Sequence, residues 1–377
     1  MYLDNLYMAV HLTFKKYKKQ LVEKMSKKVS GFLRVKNEGI FIERCIESCI
    51  DALDELIIVF NDCTDNSEDE INKMVAKYPH KIKSYKYPHH VLGMYITKEE
   101  FDMAKNLPEG DPALFSTYSN FALQKITSEY AVKIDADQVY FTEELKSWCD
   151  FLRECKPQKK TFKVFLGSLF SIYISFYRLL SLKAGKVLPL LPSWFVRIFY
   201  PSYISYAKYL FSHDKACLSL SGVNVLETDK IGISMGHTLN GFKAFHSFNG
   251  CGDTVMFKMD ESVRFEKFIM PEYNPPYTKT YSVFEAFKAP CKKTMFIGFF
   301  WKHLSMMRTT LLNQALSLNE MDKEAFLSVD KFKKLSYSKI MNQSPDNVCP
   351  LFQRILYAFI YKANKRTLMD YLQKKIV

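Results

Sequence analysis

The sequence predicts an α/β protein whose mostly parallel sheet is flanked by helices. Three observations carry that expectation. Short β-rich runs alternate with helix-periodic segments from Val29 to Ile134, the pattern of a parallel sheet with crossover helices. Leu56-Ile-Ile-Val-Phe60 is continuously apolar, as strands buried on both faces are. The acidic clusters Asp62/Asp65 and Asp135/Asp137 follow two such runs, and parallel sheets bind ligands at the carboxyl ends of their strands.

The elements follow in order. In residues 1–28, Leu3, Leu6, Tyr7, Val10, Phe14, Tyr17 and Leu21 recur at helical spacing among Lys15, Lys16, Lys18 and Lys19. This reads as a basic amphipathic helix, lying on a membrane or on its own domain. Residues 29–160 hold the strand–helix alternation. Val29–Arg34 is the first strand, and Ile40–Ala52 a helix with Ile42, Cys45, Ile46, Cys49 and Ile50 on one face. After Leu56–Phe60, the turn cluster Asn61–Ser67 leads into a helix to Lys77, capped by Asn66 or Ser67. Lys81–Tyr87 is a third strand, Leu114–Ile126 a helix and Tyr130–Ile134 a fourth strand. Residues 161–212 form an aromatic, basic, helical insertion. In residues 213–280, Ala216–Leu226 returns to strand and Gly232–Gly252 reads as loop. Residues 281–377 read as mostly helical and basic.

Composition narrows the classes. The chain has 377 residues, 48% of them hydrophobic and 25% charged, which supports a real core and excludes wholesale disorder. The net charge of +13 favours anionic partners. The nine cysteines are scattered without a CxxC pair, which argues against structural zinc and for a reducing cytosol. Val164–Tyr177 is apolar but shorter than the roughly 20 residues of a bilayer span. The mixture of Phe, Tyr, Trp and Lys/Arg from Phe162 to Phe211 suits an interfacial surface instead.

The strongest chemical signal is Ile134-Asp135-Ala136-Asp137 after an apolar strand. Two carboxylates one residue apart can hold a hard divalent cation that bridges to a diphosphate. They point the same way only if the strand stays extended; otherwise one acts through water. A solvated turn is the alternative for so short a pattern. Gly250-Cys-Gly-Asp253 offers a second carboxylate, either a proton acceptor or the cap of a following helix. Each of His237, His246 and His303 reads first as a core or surface histidine; imidazole can also complete an oxygen-rich metal site, and there His303 is the choice. Trp301 is a candidate for stacking on a ligand, with packing on the sheet as the alternative. His89 and His90 read as exposed loop residues.

Five segments in order resemble the nucleotide-sugar half of the inverting family-2 glycosyltransferases with the GT-A fold. They are Leu33-Arg-Val-Lys-Asn-Glu38, Glu43-Arg-Cys-Ile-Glu-Ser48, Leu56–Ser67, Ser119-Asn-Phe-Ala-Leu123 and Tyr130–Asp137, spread over roughly the first third of the chain. The resemblance implies a bacterial hexosyltransferase that moves one sugar from a nucleotide-diphosphate sugar, by family frequency a UDP-sugar, to a saccharide or glycolipid. Lipopolysaccharide or capsule synthesis is the implied setting. It implies Arg34, Lys36, Asn37 and Glu38 lining the nucleotide pocket with Asn120 and Ala136, and Asp62 and Asp65 near base and ribose. It implies Mn2+ or Mg2+ on Asp135 and Asp137 with His303, Asp253 as the base, and Trp301 and His246 on the acceptor side. There are departures. Phe60 and Asn61 occupy the family's paired Asp positions, leaving Asn61 or Asp62 to substitute; Ser119 stands where an Arg is usual; and Gly252 replaces a Glu. No Gln-x-x-Arg-Trp segment is present, which favours transfer of a single sugar.

The expected location is the cytoplasm, peripheral on the inner face of an anionic membrane. A nucleotidyltransferase would show glycines in Arg34–Glu38, which has none. A nucleic-acid-binding protein would fit the charge, but no binding module appears and acidic residues lie where phosphate would sit. A non-catalytic membrane scaffold is the remaining alternative. Nucleic acid is therefore not an expected partner.

Overall fold

The structure is a computed structural model. It describes residues 27–154, 156–227, 231–235, 238–239, 242–243, 246–250, 252, 255–269, 281–307, 326–342 and 351–373. The N-terminal amphipathic helix expected in residues 1–28 lies almost wholly outside them, as do Asp253 and His237.

The first half alternates strand and helix: β1 (Val29–Val35), α1 (Gly39–Cys49), β2 (Glu55–Phe60), α2 (Ser67–Lys77), β3 (Ile82–Lys86), β4 (Met94–Ile96), α3 (Lys98–Asn106), α4 (Phe115–Gln124), β5 (Tyr130–Asp135), β6 (Gln138–Tyr140) and α5 (Thr142–Arg153). A helical hairpin follows, α6 (Phe162–Lys183) and α7 (Ser193–Ser212). Then come β7 (Ala216–Glu227), β8 (Ile231–Ser234), β9 (Thr238–Leu239), β10 (Phe242–Lys243), β11 (Phe248–Asn249), β12 (Val255–Lys258), β13 (Arg264–Ile269), β14 (Tyr281–Lys288), β15 (Lys293–His303) and β16 (Phe326–Ser328). The chain closes with α8 (Val329–Lys333), α9 (Tyr337–Asn342) and α10 (Leu351–Gln373).

The main sheet runs β3-β2-β1-β5-β12-β7-β8-β16. Its first four strands are parallel, as the alternation requires. Alternate side chains of these strands enter opposite cores. Leu33, Leu56, Ile58 and Val132 pack under α1 with Ile42, Cys45 and Ile46. Phe32, Ile57, Val59 and Ala131 pack with Tyr118 and Ala122 of α4 on the other face. Beyond β5 the sheet turns antiparallel through β12 and β7. The long β15 runs parallel to β7 and antiparallel to the short β6. The expected α/β architecture with helices on both faces is what the chain adopts.

Three expectations are corrected. The segment from Tyr281 to His303 is two strands, not helix, and apart from a single 3-10 turn at Ser305–Met307, helices resume at Val329 among the described residues. Tyr281-Ser-Val-Phe and Met295-Phe-Ile-Gly-Phe-Phe-Trp are aromatic and β-branched, and that preference outweighs the basic flavour of the region. Within Gly232–Gly252, Ile231–Ser234 and Phe248–Asn249 are strands paired to β7. The cysteines are not all thiols: Cys217 and Cys291 form a disulfide between the start of β7 and the turn before β15, while Cys45, Cys49, Cys63 and Cys149 are free.

The insertion is helical as expected, and it packs through a glycine. A Cβ on Gly167 would lie 2.0 Å from the Ser202 carbonyl oxygen of α7. Backbone cannot yield as a flexible side chain can, so Gly167→Val should force the two helices apart. The expected loss is about 1–3 kcal/mol, read as a lower urea midpoint. An unchanged midpoint would show that the hairpin does not depend on this contact.

Candidate functional site

The carboxyl ends of β1, β2 and β5 meet at one edge of the sheet, with Arg34 in register with Asp135 and Val35 with Phe60. Both loops that leave β1 and β2 begin with a backbone reversal. Asn37 (φ 56°) and Asp62 (φ 46°) adopt the left-handed conformation without being glycine, a cost that Asn and Asp bear best. The Asn37 side-chain oxygen accepts from the Thr64 amide at 2.7 Å. Tyr118 donates to the Val59 carbonyl at 2.7 Å and accepts from the Val35 amide at 3.3 Å, pinning the two strand ends together.

The acidic residues here have different duties. Asp65 accepts from the Gly39 amide and from the Ser67 amide, each at 3.0 Å, and so caps the starts of α1 and α2. Neither Asn66 nor Ser67 acts as the side-chain cap of α2; Asp65 does. Burial opposes its charged form, but the bonds from Ser67 and Gly39 prevail and hold the carboxyl below its ordinary range. Asp62 instead gathers His90 at 2.6 Å and Lys36 at 3.8 Å on the open side of the loop. Between them Asn61 is buried, and its side-chain oxygen has no partner.

Arg34 is turned inward. Its guanidinium is 7% exposed, pairs with Glu285 of β14 and with Ser119 of α4, and lies 3.7 Å from Asp135. The rings of Phe115 and Phe265 flank it at 4.8 and 5.8 Å. Burial alone would disfavour the cation, but Glu285 and Asp135 outweigh it and keep it charged. Asp135 also takes Lys133 at 3.4 Å and Gln138 at 3.2 Å. This carboxylate is therefore ringed by donors.

Asp137 faces the other way, towards His303. Pairing of β6 with β15 sets Gln138 opposite His303, and the Leu304 amide donates to the Asp137 carbonyl at 2.7 Å. The His303 Nε2 then lies 3.2 Å from Asp137 Oδ2. Asn224 fixes the ring. Its amide nitrogen donates to the His246 carbonyl, so its oxygen faces His303 Nδ1 at 2.5 Å. Nδ1 must therefore carry a proton, and Nε2 is the nitrogen offered to Asp137. Two neighbouring ligands of an octahedral cation stand roughly 3 Å apart when each bond is about 2.1 Å. The Asp137–His303 spacing fits that edge. Among the described residues no three His, Cys, Asp or Glu side chains converge as a metal cage. The donor set fits a cation that takes its other ligands from water and phosphate.

Other expected site residues fall elsewhere. Asn120 uses both ends of its amide on the Phe265 backbone, at 2.7 and 2.8 Å, so it braces β13 rather than a nucleotide. Trp301 is fully buried, donates to Asn249 at 2.8 Å, and fills the space over Gly222 and Gly250 where any Cβ would clash. It is a core residue, not a sugar platform. His246 is also buried, stacked on Tyr357. The segment after Asp253 is strand β12, paired with β5, not the helix expected there. Ala136 is buried and Lys36 exposed. Glu285, Asn224 and Gln138 complete the site and were not singled out from the sequence. A lone Glu amid the aromatic Tyr281-Ser-Val-Phe-Glu-Ala-Phe run was the one available sign of Glu285.

Two outcomes follow from this geometry. Glu285→Ala leaves Arg34 buried with its charge poorly compensated, and should cost about 3–5 kcal/mol in chemical denaturation. The double change Arg34→Met with Glu285→Leu should recover most of it; a single-variant loss below about 1 kcal/mol would mean the pair is well solvated. Burial lowers the His246 pKa to about 4, against 6.5 ordinarily. The unfolded chain then binds a proton below about pH 6.5 that the folded chain refuses, so stability falls from there down to about pH 4, by about 3 kcal/mol in all. His246→Asn, which keeps an acceptor for the Phe248 amide, should flatten that slope in melts across this range.

Residues 9–168 match the model of a family described as Beta-1,4-N-acetylgalactosaminyltransferase (CgtA), a stretch short of half the chain. No curated protein matches the sequence. Among solved structures, glucosyl-3-phosphoglycerate synthase from Mycobacterium tuberculosis with Mn2+, UDP and glucosyl-3-phosphoglycerate is 19% identical, over 30% of this chain and 34% of that one, at a TM-score of 0.19. The same synthase with Mg2+ and UDP gives 20% identity, the same coverage and a TM-score of 0.20. A mycobacterial protein gives 17% identity over 30% and 32% of the two chains, also at 0.20. The chain thus spans about a third of the length of these proteins, and overlays so partial carry no argument about activity. The family match bears out the resemblance read from the motifs: over residues 9–168 the chain is similar to a glycosyltransferase family.

Proposed function

We propose that this protein transfers a single sugar from a nucleotide-diphosphate sugar to a saccharide or glycolipid acceptor, with inversion at the anomeric carbon. The observation that carries the reading is the Asp137–His303 pair beside Asp135 at the carboxyl end of β5. The family description supports it and makes UDP-N-acetylgalactosamine the first donor to test. The setting we propose is assembly of a cell-surface glycan.

Asp137 and His303 would hold Mn2+ or Mg2+, which when bound offsets the negative charge of the departing diphosphate. Asn224 keeps the imidazole turned to Asp137, and Arg34, Lys133 and Gln138 keep Asp135 in place. The buried Asn61 oxygen, an acceptor without a donor, suits the imide N–H of uracil. Asp62, on the open side of the same turn, suits a ribose hydroxyl. The acceptor oxygen attacks the anomeric carbon as the bond to the diphosphate oxygen breaks. Asp253, two residues before β12, is the carboxylate we assign to take the acceptor proton.

The test is a thermal-shift panel of UDP-sugars with Mn2+, with EDTA, and in Asp137→Ala and His303→Ala, followed by transfer assays. The correct donor should raise the melting temperature of the wild type only with metal, since binding stabilises the folded state. Asp253→Asn should keep that shift and lose transfer. Equal shifts with Mn2+, with EDTA and in both metal-site variants would sink the assignment.

A further inference from the structure

The Phe162–Lys183 helix is apolar on two faces, and among the described residues only one of them is buried. Its inner face, through Val164, Phe170, Ile174 and Tyr177, is buried against α7 and α10. On its outer face Phe162, Phe165, Leu169, Ile172, Phe176 and Leu179 recur every three or four residues, and each is between 47% and 74% exposed. The stripe runs along a helix about 33 Å long. Trp194 and Ile198, on the partner helix α7 of the hairpin, are each more than 60% exposed as well. Scattered apolar side chains on a surface need no explanation, but a continuous stripe of this size marks an interaction site.

The charge around the stripe selects its partner. From Lys156 to His213 there is no Asp or Glu, while nine Lys and Arg occur. Lys159, Lys160 and Lys163 stand at one end of α6, and Lys183 and Lys186 at the other, all exposed. A second copy of the chain would bring two purely cationic faces together. A nucleic acid would satisfy the charge and leave the apolar stripe in water. The helix is long and apolar enough to cross a bilayer, but its inner face is committed to the protein, so one side alone is open to lipid. An apolar face between basic flanks, with a Trp at the rim, is the composition of a helix that lies in the headgroup layer.

We propose that the outer face of the α6–α7 hairpin docks on an anionic lipid bilayer. The inference stands on the hairpin alone and does not need the catalytic reading. In that position Phe162, Ile172 and Phe176 sit among the acyl chains, and the flanking lysines sit at the lipid phosphates.

Flotation of the full chain with vesicles tests it. Phosphatidylcholine vesicles are compared with vesicles of phosphatidylcholine and phosphatidylglycerol. The wild type should float with the anionic vesicles and little with the neutral ones. Leu169→Ser, Ile172→Ser and Phe176→Ser combined should lower partitioning about a hundred-fold. These positions are exposed, so the melting temperature should be kept. Lys159, Lys160 and Lys163 changed together to Gln should weaken binding to anionic vesicles only. Of the three tryptophans, Trp148 and Trp301 are buried and Trp194 is exposed, so emission should shift to the blue with lipid and not in Trp194→Tyr. Asp137→Ala should float like the wild type, which separates this outcome from any failure of catalysis. No flotation of the wild type with anionic vesicles overturns the proposal. So does equal flotation of the triple Ser variant, or a dimer in light scattering that the Ser changes dissolve.

Discussion

A single buried cation connects the two halves of this protein. Arg34 comes from the first strand, Ser119 from the helix before β5, Asp135 from the end of β5 and Glu285 from a strand 150 residues further on. A guanidinium shielded from water must be matched by negative charge close by, because desolvation costs more than any one weak contact returns. That requirement fixes where β14 runs against the parallel half of the sheet. It also sets the orientation of Asp135, which cannot turn away without leaving Arg34 short of a partner. The residue that the motif reading assigned to the nucleotide is thus the one that orders the site from beneath.

The other half of the site depends on strand register. The β15 strand pairs with β6 so that His303 falls opposite Gln138 and therefore beside Asp137. The same strand carries Trp301, whose indole occupies the space left by Gly222 and Gly250. A side chain on either glycine would lift Trp301 and with it the strand that carries His303. Core packing and site geometry are one constraint here, since residues two apart on a strand share a face and move together. Asn224 adds a second restraint by fixing which imidazole nitrogen faces the carboxylate.

The site residues divide by what they do. Asn37, Asp65, Tyr118 and Asn120 hold loops and strand ends, with their polar atoms on backbone groups. Asn61, Asp62, Asp137 and His303 lie at or just past the carboxyl ends of β2, β5 and β15, and the polar atoms of the last three meet other side chains. Sequence motifs do not separate the two groups, because both use the same side-chain types. Strain separates them no better: Asn37 and Asp62 share the left-handed backbone, yet one accepts from a backbone amide and the other gathers side chains.

Local pattern determined the parallel half. Apolar runs, helical spacing and turn residues set β1, β2, β3 and β5 and their helices to within a residue or two, because each depends on neighbours a few positions away. The carboxylates at the end of β5 were also legible, from residue type and position after a strand, and the structure sets His303 beside one of them. The partners of Arg34, the burial of Trp301 and His246, and the strand character of Tyr281–His303 were not, since each is decided by contacts between segments far apart in the chain. Local sequence is thus enough for the elements of the parallel half and for the list of side chains that could carry chemistry. Which of those side chains are buried under the sheet and which meet at its edge is settled by packing, because burial and register are properties of the folded chain and not of any stretch of it.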